Sequence, residues 1–274
     1  MSESGSGDSS VGEAQDHIDP VVLMSVVDGV ATITLNRPES RNAINGPLRQ
    51  AMRQSFKAAE ADPAVSVIVL TGTDPAFCAG LDLREVGKGN PEVIGSQTSG
   101  SSRPFPATTK PIIGAINGAA ITGGFELALN CDFLIASERA VFADTHARVG
   151  VMPGWGLTTL LVDAVGAGRA REISLTGNFV TAQEAVDWAL VNRTVPHDEL
   201  MPTVYRLAAD IAGNDQAGVR RMLATYAEQQ EARLADGWRL EGEASVSFRA
   251  EVDFEPAEVE ARRQAIIERG RSQI

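Results

Sequence analysis

Asn117-Gly118-Ala119-Ala120-Ile121-Thr122-Gly123-Gly124-Phe125-Glu126-Leu127 is the stretch on which the reading of this chain turns. A glycine pair ends a strand-and-loop and opens a helix. Amides at a helix start point outward with the positive end of the dipole behind them, which suits an oxyanion. Glu126 lies about one turn beyond Gly123 and can aim a carboxylate at the same place. It could equally complement the dipole of the first turn, an effect of about 0.3–1 kcal/mol. A second stretch, Ala76-Phe77-Cys78-Ala79-Gly80-Leu81-Asp82-Leu83, follows a strand and the turn Thr71 to Pro75, and its small residues let a ligand come close to the backbone. Either stretch alone is also compatible with an ordinary structural turn.

Outward from these segments the pattern is mixed α/β. Val21 to Val27 and Val30 to Leu35 are β-branched runs joined at Asp28-Gly29, a strong hairpin signal. Pro47 opens a helical pattern through Leu48, Met52, Phe56 and Ala59 that stops at Asp62-Pro63, and Val65 to Leu70 follows as an apolar strand. Ile112 to Ile116 and Phe133 to Ala136 read as strands, with a helix starting between them at Gly124. The polar loop from Gly87 to Pro106 is a candidate lid or substrate rim, or a disordered excursion. Helices take over from Arg169, with a capping box at Thr181 to Glu184 and further helical patterns at Glu199 to Ile211, Ala217 to Leu234 and Pro256 to Arg269. The expected organisation is a disordered tail over residues 1–17, a core over 18–200 and a helical region over 201–274.

Composition narrows the classes of function. With 43% hydrophobic and 22% charged residues in 274, the chain can bury a large core, and no stretch has the roughly 20 apolar residues of a membrane span. The net charge of −12 disfavours nucleic acid and anionic membrane as partners. Local groups such as Arg37 with Arg41, or Arg84 with Arg103, could meet phosphates or be solvated surface charges. Residues 1–16 are Ser, Gly and acid rich and resemble no targeting sequence, and Cys78 and Cys131 read as reduced core thiols, so a cytoplasmic location is expected.

The pairing of the two glycine-containing segments, together with Met152-Pro153-Gly154-Trp155-Gly156, resembles the enoyl-CoA hydratase/isomerase (crotonase) family, from about Val21 through the helical tail. The resemblance implies an α/β fold in which β-β-α units wind into a spiral, with a C-terminal helical trimerisation region and assembly as a homotrimer or a dimer of trimers. It implies an acyl-CoA thioester as substrate, within fatty-acid and lipid metabolism, and an oxyanion hole made of the Leu81 and Gly123 amides. Ala43, Ala79, Leu81, Asp82, Leu83, Arg84 and Gly123 would border the acyl-CoA, and Glu126 would be the catalytic acid/base. No metal or separate cofactor is expected, since coenzyme A is part of the substrate.

The chemistry behind that hole is general. Removing a proton beside a thioester, or adding a nucleophile to its conjugated double bond, places negative charge on the carbonyl oxygen. Loss of one preset donor typically costs about 2.7–4 kcal/mol of barrier.

This chain departs from the family where its hydratases carry a second glutamate: the position is His146, within Ala143-Asp144-Thr145-His146-Ala147-Arg148. His146 could share proton transfer with Glu126, or line the pocket with no proton to move. Asp144 reads as a structural partner that would face the other way if this piece is extended, and His17 and His197 are assigned no chemistry. The leading expectation is a hydratase acting on a 2-enoyl-CoA. The alternatives are a double-bond isomerase, another acyl-CoA reaction such as hydrolysis or decarboxylation, and a catalytically silent acyl-CoA-binding protein.

Overall fold

Positive φ at both Asp28 (50°) and Gly29 (80°) gives the turn that two-residue hairpins need. It joins β1 (Val22–Val27) to β2 (Val30–Leu35) with Val27 opposite Val30, as the Asp-Gly signal predicts. The computed structural model describes residues 20–88, 103–251 and 256–273. The tail expected over 1–17, with His17, and positions 89–102 of the candidate lid lie outside the described residues.

α1 (Gly46–Ala61) starts where Asn45 Oδ1 accepts a hydrogen bond from Leu48 N at 3.0 Å, with Pro47 in the first turn. β3 (Val67–Gly72) begins two residues later than the apolar run beginning at Val65 suggests, because the amides of Ser66 and Val67 both donate to Gly29 O. β4 (Ala76–Cys78) follows, and then two further pairs, β5 (Ile112–Ile116) with β6 (Ala119–Ile121) and β7 (Phe133–Ser137) with β8 (Val141–Ala143). The long strands form one sheet in the order β1-β2-β3-β5-β7-β10, parallel after the first pair, with β10 spanning Arg193–Val195. The short ones form a second sheet, β4-β6-β8-β9, closed by β9 (Val180–Thr181).

The chain therefore advances in repeated β-β-α units. β3 and β4 lead into α2 (Leu83–Gly87), β5 and β6 into α3 (Gly123–Leu129), and β7 and β8 into α4 (His146–Val149). This is the spiral expected from the resemblance. The second strand of each unit is three residues long, too short to leave a periodicity in sequence.

Both faces of the large sheet are covered, so its strands are apolar in nearly every position. Ile68 and Leu70 point to the side closed by Leu48, Met52 and Phe56 of α1, whereas Val67 and Val69 point to the side closed by Leu200, Val204 and Ala208 of α7 (Leu200–Ala212). Phe105, just after the undescribed loop, stacks on Phe56 with ring centroids 4.2 Å apart.

The helical half differs in extent from its sequence pattern. α5 spans Leu157–Thr176 and so starts before Arg169, with a break at Gly166 (φ 78°, ψ 160°). α6 (Ala182–Asp187) carries the expected capping box between Thr181 and Glu184. α8 runs Gln216–Glu251, well past Leu234. Its last half has no amphipathic stripe to announce it. Trp238 and Glu241 hold it against the start of α5 instead. α9 (Pro256–Arg271) then packs on α2. Among the described residues no helix is long and apolar enough to cross a membrane.

Candidate active site

The two glycine-containing segments meet. β4 lies beside β6 in the small sheet, so the turn after Cys78 and the turn after Ile121 emerge side by side. A methyl group added to Gly80, which has φ 91°, would lie 2.7 Å from Ile121 O and 3.3 Å from Gly123 N. Only glycine fits there. A methyl group on Gly124 would collide with Cys78 O, which is what lets α3 begin directly against β4.

The bonding of these turns leaves two amides over. Leu81 forms a parallel bridge with Ile44, and that bridge is made by Ile44 N donating to Gly80 O (2.7 Å) and Asp82 N donating to Ile44 O (3.0 Å). In such a bridge the intervening residue, Leu81, directs its own N–H to the opposite side. Gly123 is the first residue of α3, and its N–H precedes the intrahelical bonds. Among the described residues neither amide donates to another group of the chain.

The residue that aims Gly123 is conformationally unusual. Thr122 has φ 53° and ψ −110°, a cost of order 1–3 kcal/mol for a β-branched residue. It is held by Thr122 N donating to Ala143 O (2.8 Å) and by a 2.5 Å bond between the hydroxyls of Thr122 and Thr145.

Glu126 is 3% exposed, one turn into α3. Its Oε1 accepts from Trp155 N (2.7 Å) and Gly154 N (3.2 Å), so the Met152 to Gly156 motif anchors this carboxylate. Its Oε2 lies 3.7 Å from His146 Nε2, too far for a hydrogen bond but close enough for strong charge coupling. Burial raises the Glu126 carboxyl, the His146 charge partly offsets this and Glu241 adds to it, leaving the group at about 7.

His146 is buried at the start of α4, and its Nδ1 sits 2.6 Å from Asp144 Oδ1. Asp144 does not face the other way: β8 stops at Ala143 and the chain turns into α4, so Asp144 also accepts from His146 N at 3.1 Å. Burial alone would lower the imidazole, but the Asp144 bond and charge, then Glu126 and Glu241, outweigh it and raise its pKa. Asp144 itself is held below the usual carboxylate range: burial opposes this, and the bond from His146 wins. The arrangement is Asp144, His146, Glu126, with the imidazole between two carboxylates.

A fourth titratable group, Glu241, sits behind them, and sequence reasoning missed it. It comes from α8, is 3% exposed, and accepts from Gly156 N (2.6 Å), Thr158 N (2.8 Å) and Thr158 Oγ1 (2.5 Å). Nothing local marks it, because the residues around it read as an exposed helix interrupted by glycine.

The expected substrate-lining residues fall around the Leu81 turn, but several side chains are engaged elsewhere. Asp82 Oδ1 caps α2 by accepting from Arg84 N (3.2 Å), and Oδ2 accepts from Arg37 Nη1 and Nη2 (3.2 Å each). Arg37 also donates to Ala43 O at 2.5 Å, which makes it a brace for this turn rather than a free phosphate ligand. Ala43 is buried, and Ala79 N donates to Arg41 O. Leu83 opens α2, Arg84 is exposed, and Arg103 stacks over Trp238 at 5.2 Å. The carbon nearest a methyl on Gly123 is Trp155 Cζ3 at 3.5 Å, with Ile44 close by, so an apolar wall adjoins the two amides. His197 bonds Ser137 Oγ and Asp74, away from this cluster.

Residues 26–271 match the enoyl-CoA hydratase/isomerase family. A probable peroxisomal enoyl-CoA hydratase of Arabidopsis thaliana is 39% identical over 223 residues, covering 80% of this chain and 83% of that protein. Among solved structures, the enoyl-CoA hydratase of Mycobacterium tuberculosis H37Rv is 49% identical with a TM-score of 0.79, covering 85% of this chain and 100% of that one. That of Mycobacterium smegmatis is 46% identical with a TM-score of 0.78 over the same shares. On the profile match and these relatives, the chain belongs to the enoyl-CoA hydratase/isomerase family.

Proposed function

We propose that this protein hydrates a 2-enoyl-CoA, with the Leu81 and Gly123 amides stabilising the thioester enolate and the pair Glu126 and His146 moving the protons. The observation that carries the reading is the placement of Gly80 and Gly123 in contact, with Glu126 one turn on. Glu126 Oε2, its sister oxygen fixed by two amides, takes a proton from water as the water oxygen bonds to the β-carbon. Electrons move to the thioester oxygen. His146 Nε2, protonated because Asp144 holds Nδ1, delivers a proton to the α-carbon as the carbonyl reforms. Transfer of the captured proton from Glu126 back to His146, across the 3.7 Å gap, resets the pair.

In this scheme His146 replaces a carboxylic acid by an imidazolium, which is the same role filled by a cation. The attacking water and these two side chains account for every proton, so the scheme calls for no metal or second cofactor. We further infer assembly as a homotrimer or a dimer of trimers and a cytoplasmic location. Exposed Met222, Tyr226 and Leu240 on α8 support the first.

Incubation with short and long trans-2-enoyl-CoAs tests the reading. Formation of 3-hydroxyacyl-CoA, lost in Glu126→Gln, is the expected result. A shifted double bond without water addition would assign the isomerase, and tight binding without product the silent form.

A further inference from the structure

The three acids and one histidine of the site are not all explained by proton transfer. Asp144 orients His146, and the proposed reaction uses Glu126 and His146. Glu241 comes from α8 and has no part in the proton transfers, yet it is as deeply buried as Glu126. An ionisable side chain removed from water at this cost has to be compensated, and three donors from one short segment contribute to that.

That segment links the two carboxylates. Gly154 N and Trp155 N donate to Glu126, and the next amides along the chain, Gly156 N and Thr158 N, donate to Glu241. The turn 154–158 is thus gripped from one side by the catalytic carboxylate and from the other by α8. α8 packs directly onto this turn: Gly156 has φ 91°, which glycine adopts freely, and a methyl group there would collide with the Trp238 ring. α8 also presses Gly237 against Thr159, where an added methyl would lie 2.8 Å from Thr159 Cγ2.

We propose that Glu241 is a positioning residue for the reaction: from the C-terminal helix it clamps Gly156 and Thr158, and so sets where Gly154 and Trp155 hold Glu126 Oε1 and where Oε2 is left to face substrate. The inference rests on the hydratase reading above for its kinetic consequence. Its structural consequence, the state of the Glu126 carboxyl, can be read without substrate.

The Glu241 charge also acts through space on both groups, raising the carboxyl of Glu126 and the imidazole of His146. The charged groups facing Glu126 are His146 on α4, with Asp144 behind it, and Glu241 on α8. Farther out, Arg49 of α1 stacks over Trp155 at 5.3 Å, and Arg103 stacks over Trp238.

The test compares wild type, Glu241→Gln, Glu241→Asp and Phe56→Ala. The Glu126 carboxyl is titrated by NMR on protein labelled with ¹³C at glutamate, assigned with Glu126→Gln, and the pH profile of kcat/KM is recorded alongside. In Glu241→Gln the Glu126 midpoint and both limbs of the profile move to lower pH, and kcat falls by roughly tenfold or more while KM changes little. Glu241→Asp keeps the charge but withdraws the oxygens, so kcat falls with the midpoint near that of wild type. Phe56→Ala, a buried ring of α1 outside this turn, lowers Tm and leaves the midpoint in place.

An unmoved Glu126 midpoint and unchanged kcat in Glu241→Gln overturn the inference. Should that variant not fold, wild-type kcat in Glu241→Asp overturns it instead. Failure of the hydratase reading has a different signature, since the wild type itself then forms no 3-hydroxyacyl-CoA.

Discussion

Replacing Glu126 by glutamine should damage turnover and strengthen the fold, and the second effect should depend on pH in a calculable way. The carboxyl sits at about 7 instead of 4.5, chiefly through burial, with His146 opposing and Glu241 assisting. An acid raised in the folded state is more protonated there than in the unfolded chain. Ionising it as pH climbs from about 4.5 to about 7 therefore costs the fold up to about 3 kcal/mol, at 1.36 kcal/mol per pH unit. Glutamine keeps an acceptor for Trp155 N and cannot ionise, and His146 keeps its partner Asp144. Glu126→Gln should match wild type in stability near pH 4.5 and exceed it by up to about 3 kcal/mol at pH 8, several degrees in Tm. The hydration rate should fall by about 10²–10⁴-fold in the same preparation. Thermal unfolding at pH 5 and pH 8, with kinetics in parallel, is the assay. A Tm difference that is equal at the two pH values, or negative at pH 8, would refute the argument that burial controls this carboxylate.

Three other perturbations probe separate parts of the account. Asp144→Asn removes the group that raises His146, so the alkaline limb of kcat/KM should move to lower pH. The raised imidazole stabilises the fold below its unfolded value and loses that contribution as pH rises through its folded one, so denaturant melts should find Asp144→Asn more destabilised at pH 6 than at pH 9. Gly80→Ala, at φ 91° with Ile121 O only 2.7 Å from the new methyl, should cost about 1–3 kcal/mol in urea unfolding and lower kcat by about 10²-fold or more through the displaced Leu81 amide. Phe56→Ala removes a fully buried ring stacked on Phe105; it should cost about 3–5 kcal/mol by the same measurement and leave the pH midpoints of kcat/KM unmoved.

How much of this was legible in the sequence depended on the range over which each signal acts. Asp28-Gly29, Pro47 and the capping box at Thr181 are local chemistry, and each appears where its residues predict. The small residues around Gly80 point to a close approach to the backbone, and the structure shows the chain itself making one there: Gly80 meets Ile121 O, as Gly124 meets Cys78 O across the small sheet. The short strands β4, β6 and β8 were unreadable as strands because three residues carry no period. Asp144 reads as a structural partner, and it is one, bonded to His146; its direction was not legible because the chain turns after Ala143 instead of staying extended. Glu241 was invisible because its role is created by α8 folding back over α5, a contact that no window of sequence contains. Asp82 shows the reverse limit: a polar residue beside a binding turn invites a ligand role, but both its oxygens are engaged by Arg37 and the start of α2.

The central claim is that one carbonyl oxygen is met by two main-chain donors with Glu126 and His146 on the same side. A crystal structure of Glu126→Gln with a trans-2-enoyl-CoA bound tests it directly. The expected result is a thioester oxygen about 2.7–3.1 Å from both Leu81 N and Gly123 N, with the α- and β-carbons facing His146 Nε2 and the residue 126 side chain. A thioester oxygen bound by other groups, or an acyl chain that never passes between Gly80 and Gly123, would contradict it.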